Sequence, residues 1–347
     1  MAYTTIPKPS AYFNTNLYTG NDTADTTITG VGFQSDFTWI KSRTTTENHH
    51  AFDAVRGGGY RIYPNLDAAQ SYIATTLTSW TSDGFVVGTD DGVNANGANF
   101  VSWNWKAGTT SGIATNATTT ITPTGYSFNQ TNGFSAIAYT GNGVDGAYLP
   151  HGLGKSPKVM IVKRLTDAGW NWYVYHASMG NQKYMQLNTN AAISATDGMW
   201  YSYTPDTVNM KMSNDAQIGA SGKNYIMYCF ADVQGYSKMG GYVGNGNTDG
   251  TFVYTGFKPA FVMVKSRGGD NWRILDNKRL GYNPNNSLLF PNITQAESAL
   301  TWYDLLSNGF KLRTTDSGDN TNGENYIFMA FAAEPLVSTN GNAATAR

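Results

Sequence analysis

Asp36-Phe-Thr-Trp-Ile-Lys-Ser-Arg43, Lys158-Val-Met-Ile-Val-Lys-Arg164 and Ala260-Phe-Val-Met-Val-Lys-Ser-Arg267 are three versions of one segment. Each is an apolar run that ends on basic residues. The anchor lysines Lys41, Lys163 and Lys265 lie 122 and 102 residues apart, a spacing that marks an internal repeat. Upstream, the copies open on matching turns: Tyr18-Thr-Gly-Asn21, Tyr139-Thr-Gly-Asn142 and Tyr242-Val-Gly-Asn245. Glycine approaches follow at Gly32-Phe33, Gly152-Leu153 and Gly256-Phe257. Downstream, Gly97-Ala-Asn-Phe100, Gly222-Lys-Asn-Tyr225 and Gly323-Glu-Asn-Tyr326 each lead into a long apolar run. The order is the same in all three.

Within a copy the periodicity is that of strands. In Phe100-Val-Ser-Trp-Asn-Trp105 alternation puts Val101, Trp103 and Trp105 on one face and Phe100, Ser102 and Asn104 on the other. The matching runs Tyr225 to Phe230 and Tyr326 to Phe331 are apolar on both faces, as expected of strands covered on both sides. Phe261 to Leu275 reads as a hairpin about Gly268-Gly-Asp-Asn271, and the second copy turns at Asp167-Ala-Gly169. One helix is expected over Gln295 to Leu306, where Ala296, Leu300 and Tyr303 have helical spacing.

Composition agrees. The 347 residues include 34 Asn, 42 Thr, 38 Gly and 47 aromatic side chains, a strand-and-turn mixture that excludes a disordered chain. Charged residues are 14% of the chain and the net charge is −1, with no cationic cluster for a polyanion, so nucleic acid is not an expected partner. No apolar run reaches the ~18 residues of a membrane span. The first ten residues have neither a basic nor an apolar leader region, and no secretory signal is expected. Cys229, the single cysteine, lies in an apolar run and reads as a small buried hydrophobe in a chain that folds under reducing conditions. The expected architecture is all-β: three tandem antiparallel β-sandwiches of jelly-roll, concanavalin-like type. They would span 1–108, 134–235 and 236–336, with a Thr-rich linker at 109–133 and a tail at 337–347.

The phrases Tyr18-Thr-Gly, Trp39-Ile-Lys, Asn48-His49, Arg56-Gly57, Ser82-Asp-Gly-Phe85 and Trp103-Asn-Trp-Lys106 resemble a family of repeat-built virion proteins of tailed bacteriophages. His151-Gly-Leu-Gly154 and Phe331-Ala-Ala-Glu-Pro-Leu336 are similar to the same family. The resemblance implies a virion location and a tail-fibre or receptor-binding role, with capsid decoration or head fibre as the alternative. It also implies a homo-oligomer, a trimer above all, in contact with other virion proteins and with host surface polysaccharide.

Chemistry is sparse. Glycan cleavage, the enzymatic rival, needs two carboxylates across the bond, and Glu47, Glu297, Glu324 and Glu334 are the only glutamates. Asp is found mainly beside Gly and Asn, where turns use it, so no catalytic residue is assigned. Thr89 to Asn96 and Asp316 to Asn322 are oxygen-rich loops open to calcium, though Asx-turns explain the same residues. His49 and His50 would point to opposite faces of a strand and cannot readily share a metal ion; His176 stands where the sister copies have Asp53 and Asp276. No metal site or cofactor is assigned. The anchor lysines read as strand-end residues with their stems over apolar surface. What remains is carbohydrate contact through aromatic loops, with Trp170, Trp172, Trp200, Tyr201, Trp302 and Tyr303 as candidates, against the alternative of core packing.

Overall fold

The computed structural model describes residues 3–195, 198–279, 282–337, 341 and 343–344. The chain is all-β, 42% strand and 4% helix. Each copy builds an inner sheet from four strands that follow one plan. The opening strands are Phe13–Thr19, Phe134–Thr140 and Ser237–Val243; the anchor strands are Phe37–Ser42, Val159–Arg164 and Phe257–Ser266. The return strands are His50–Asp53, Trp172–His176 and Arg273–Asp276; the closing strands are Asn99–Trp105, Asn224–Phe230 and Asn325–Pro335. In all three the order across the sheet is opening, closing, anchor, return, with every pair antiparallel. The second sheet is longer. Gly125–Asn129, inside the stretch read as linker, pairs with its opening strand, and Lys183–Gln186 and Ser194–Ala195 extend the other edge.

Alternation decides which side chain meets which core. Odd positions of the first closing strand, Val101, Trp103 and Trp105, join Ile226, Tyr228 and Phe230 of the second and Ile327, Met329 and Phe331 of the third in one cluster. The equivalent residues Trp105, Phe230 and Phe331 meet there, with ring centroids 6.1, 5.8 and 5.6 Å apart. The three inner sheets therefore close about an internal pseudo-threefold axis. The opposite faces pack separately: Phe100 with Phe85 and Val87, Met227 with Met210 and Met212, Phe328 with Phe310 and Leu312. A closing strand is buried on both sides because its two faces serve two cores.

Smaller sheets cover the outer faces. The first copy uses Thr26–Thr29, Gly84–Val87 and Leu77–Thr81; the third uses Phe252–Tyr254, Gly309–Leu312, Ser298–Leu306 and Asn285–Leu288. Among the described residues the second pairs only Ala147–Pro150 with Asn209–Met212. The helix expected over Gln295 to Leu306 is corrected: Ser298–Leu306 is a strand, paired with Gly309–Leu312 through Tyr303↔Leu312 and Leu305↔Phe310. Its Thr, Trp and Tyr favour a strand, and the Ser307-Asn308 turn returns it as a hairpin. The hairpin expected over Phe261 to Leu275 is present, with Val262↔Leu275 and Val264↔Arg273 in register.

The amino-terminal segment seals the ring. The Tyr3 hydroxyl donates to the Gly256 carbonyl at 2.5 Å and Thr4 Oγ1 to the Gln234 carbonyl at 2.8 Å. Ile6 is fully buried in the shared core.

Candidate functional site

Most of the recurring polar residues lie at the seams between copies. Lys41, Lys163 and Lys265 are fully buried. They do not reach out to water as their strand-end positions led one to expect. Lys163 Nζ donates to the carbonyls of Trp170 and of Asp67 in the first copy, the latter at 3.1 Å. Lys265 Nζ donates to the carbonyls of Asp270 and of Asn190 in the second, the latter at 3.2 Å. Lys41 stays within its copy, on the carbonyls of Ser42 and Thr45 at 2.7 and 3.1 Å. Burial holds each of these ammonium groups down to about 8.

Three backbone bonds run around the ring. Gln70 N donates to Leu165 O at 3.1 Å, Ile193 N to Arg267 O at 2.9 Å and Glu297 N to Arg43 O at 2.8 Å. Each joins one copy to the next, and the last returns from the third to the first. Two tryptophans repeat the step: Trp172 Nε1 donates to Tyr63 O at 2.9 Å and Trp272 Nε1 to Gln186 O at 2.8 Å. His49 stands in their place in the first copy, and the Phe290 backbone acts on its ring.

A third ring uses the strand-end groups. Asp53 Oδ2 accepts from the Tyr228 hydroxyl at 2.6 Å, and Asp276 Oδ2 from Trp103 Nε1 at 3.0 Å. Tyr228, Trp103 and Met329 hold equivalent positions. Methionine offers no donor, and the residue facing that site is His176, whose Nε2 lies 3.0 Å from the Phe328 carbonyl. Partner and acceptor change together. Asp53 and Asp276 also bind Arg56 and Arg279 at 2.6 Å; in the second copy Met179 replaces that arginine.

Other sequence candidates fall as follows. Glu297 is gripped by Arg43 at 2.9 Å and Arg279 at 3.2 Å. Burial pushes its carboxyl up, but these guanidinium groups outweigh burial and hold it below the usual glutamate range. Asp90 and Asp316 cap four-residue helices and pair with Arg61 and Arg273. Asp319, buried beneath Arg273 and bonded to the Tyr303 hydroxyl, is pushed up by burial to about 6. Among the described residues no three His, Cys, Asp or Glu side chains are arranged to hold a metal ion.

Of the aromatic candidates, Trp172, Trp200, Trp302 and Tyr303 are buried. Trp170 is half-buried, with the Arg164 guanidinium 4.4 Å from its ring. Tyr201 is 40% exposed. It lines an open groove of about 510 Å³ with Asp145, Ser202, Ser213, Asn214 and Asp215. Among the described residues the second copy has no third outer strand where its sisters have one, and the groove lies beside the pair Ala147–Pro150 and Asn209–Met212. Tyr201 and Ser202 take φ of 51° and 47°, the left-handed region that non-glycine residues occupy at a cost of ~1–3 kcal/mol each. Lys211 Nζ sits 4.2 Å from the Tyr201 ring centroid. Gly146 passes beneath the ring, where a Cβ would meet it at 3.1 Å. Asp145 was not legible as a groove residue, nor Lys211 and Gly146 as neighbours of the Tyr201 ring, because only the fold brings them together.

The fold and its seams define an all-β protein built as a ring of three like units. The model of a family described as a domain of unknown function, DUF7483, matches residues 8–335, and the chain belongs to that family. The match runs through all three copies. No curated protein and no solved structure matches the chain.

Proposed function

We propose that this chain is a non-enzymatic structural protein of a bacteriophage virion, of tail-fibre or receptor-binding type, made of three tandem jelly-roll sandwiches. The observation that carries the contact role is the use of the strand-end side chains Asp53, His176 and Asp276: each bonds to the next copy around a closed ring. The likeness of Tyr18-Thr-Gly, Ser82-Asp-Gly-Phe85 and Trp103-Asn-Trp-Lys106 to virion proteins gives the setting. Host glycan is the proposed ligand of the Tyr201 groove, with a ring for a sugar's apolar face and carboxylate and amide groups for its hydroxyls. Purified protein should compete with phage for adsorption to host cells, and Tyr201→Ala should weaken that competition. No competition at saturating protein removes the adhesive role.

Capsid decoration is the second reading, and it shares the ring argument. Imaging of particles separates the two by location. A glycan-depolymerising enzyme is the third, and Glu297 serves it poorly, since a general acid must hold its proton and this carboxylate is paired with two arginines. A homotrimer remains part of the proposal. A monomer mass in sedimentation would remove it, leaving the internal threefold in its place.

A further inference from the structure

The three copies act as controls for one another, and one seam differs. Ser42, Arg164 and Ser266 occupy the same strand position, opposite Phe100, Tyr225 and Tyr326. In the second copy the Arg164 guanidinium bonds within its own copy: Nη1 donates to the Ala216 carbonyl at 3.1 Å, Nε to the Thr166 carbonyl at 3.0 Å and Nη2 to Asp167 at 2.5 Å. Lys223 adds a second cation there, 3.0 Å from Asp167.

In the third copy those two positions lose their cations, one to the opposite sign, and a guanidinium comes instead from Arg273 on the return strand, 3.5 Å from Asp270 and 2.5 Å from Asp316. Ser266 replaces Arg164 and Glu324 replaces Lys223. A pocket of about 480 Å³ opens, lined by Asn190, Ser266, Asp270, Ser317, Thr321 and Glu324. The Ser317 carbonyl corresponds to the Ala216 carbonyl, since each accepts from the tyrosine of its closing strand, at 2.7 and 2.9 Å. The acceptor that Arg164 uses in the second copy is therefore retained, with the Thr321 hydroxyl 3.4 Å away as a further donor to it.

The acids are held in place. Glu324 Oε1 accepts from Gly268 N at 2.8 Å. A Cβ on Gly268 would lie 2.9 Å from Glu324 Oε2, so a larger residue there would displace the carboxylate. Asp270 keeps a φ of 102° while Asn190 O accepts its N–H at 2.9 Å, and its Oδ2 accepts from Ser317 Oγ at 2.8 Å. Among the described residues no cation lies within ion-pair distance of Glu324.

We propose that this pocket takes a guanidinium group, the side chain of an arginine on a partner polypeptide, in the place that Arg164 fills in the second copy. Planarity favours the guanidinium: its fork can reach the Ser317 carbonyl and the Glu324 carboxylate together, as a point-charge ammonium cannot. The proposal is independent of the Tyr201 groove, which lies on the outer side of another copy.

Calorimetric titration of the full chain with acetyl-Gly-Arg-Gly amide, its lysine analogue and agmatine tests it. Saturable binding of the arginine peptide is expected, with the lysine peptide about tenfold weaker. Glu324→Gln should abolish it. So should Ser266→Arg, which sets a guanidinium on the Arg164 position and should raise the melting temperature. Agmatine binding more tightly than the arginine peptide would overturn the polypeptide partner in favour of a small guanidinium compound. No saturable binding, equal binding of the lysine peptide, or binding undiminished in Glu324→Gln would overturn the guanidinium pocket.

Discussion

His50 has neither ring nitrogen paired and is packed against Gly92, where a Cβ would lie 2.1 Å from its Nε2. Burial drives its pKa down to about 3, those of His151 and His176 to about 4, and that of His49 well below 6.5. Unfolded histidines titrate near 6.5, so between that value and the folded ones the unfolded chain holds more protons. Stability is then lost as pH falls from 6.5 towards 4, by ~1.4 kcal/mol per pH unit for each histidine. Denaturant unfolding should give a lower midpoint at pH 5 than at pH 7, and His50→Leu should remove one histidine's share of that slope. The anchor lysines act at the other end. Their folded values near 8 lie below the 10.5 of free lysine, so stability from this source rises with pH across that window. At neutral pH, Lys163→Met should destabilise by ~1–3 kcal/mol, because the Trp170 carbonyl loses the Lys163 donor and the Asp67 carbonyl is left with the Gly169 and Trp170 amides.

The paired strands were the most legible elements. Alternation in Phe100 to Trp105 correctly assigned each side chain to one of two faces, and the hairpin after Phe261 followed from its glycines. Ser298–Leu306 was misread because Ala296, Leu300 and Tyr303 also fit a helix; its pairing with Gly309–Leu312 decided the matter. Seam contacts left no local signal. Asp53 and Tyr228 are 175 residues apart, and only the exchange of Asp for His opposite Met329 could have pointed to the pairing. That pairing is measurable. Asp53→Asn and Tyr228→Phe should each destabilise, and a double-mutant cycle should give ~0.5–3 kcal/mol of coupling. A coupling near zero would mean that the two groups do not meet.

At the scale of the molecule, a core shared by three copies makes stability a common property. Phe230 contacts Trp105 of the first copy and Phe331 of the third. Phe230→Ala should therefore cost ~3–5 kcal/mol and lower the stability of all three copies together. Calorimetry should record one cooperative transition, with calorimetric and van't Hoff enthalpies equal. Three resolved transitions would contradict a merged core. Residues 134–235 expressed alone should expose the apolar side of their inner sheet and fail to give a protease-resistant fold. The copies themselves were visible in the sequence, but their closure into a ring was not, because it rests on shapes and bonds between distant segments.

The clasp that joins Tyr3 and Thr4 to Gly256 and Gln234 bears on how the protein is born. Translation delivers the first copy long before the residues that will cover it. A nascent chain must leave the ribosome with bare aromatic rings awaiting their last neighbours, and such rings invite aggregation. Chaperone dependence during synthesis, relieved only after the third copy emerges, is the expected consequence of fastening Tyr3 and Thr4 to partners 253 and 230 residues further along the chain.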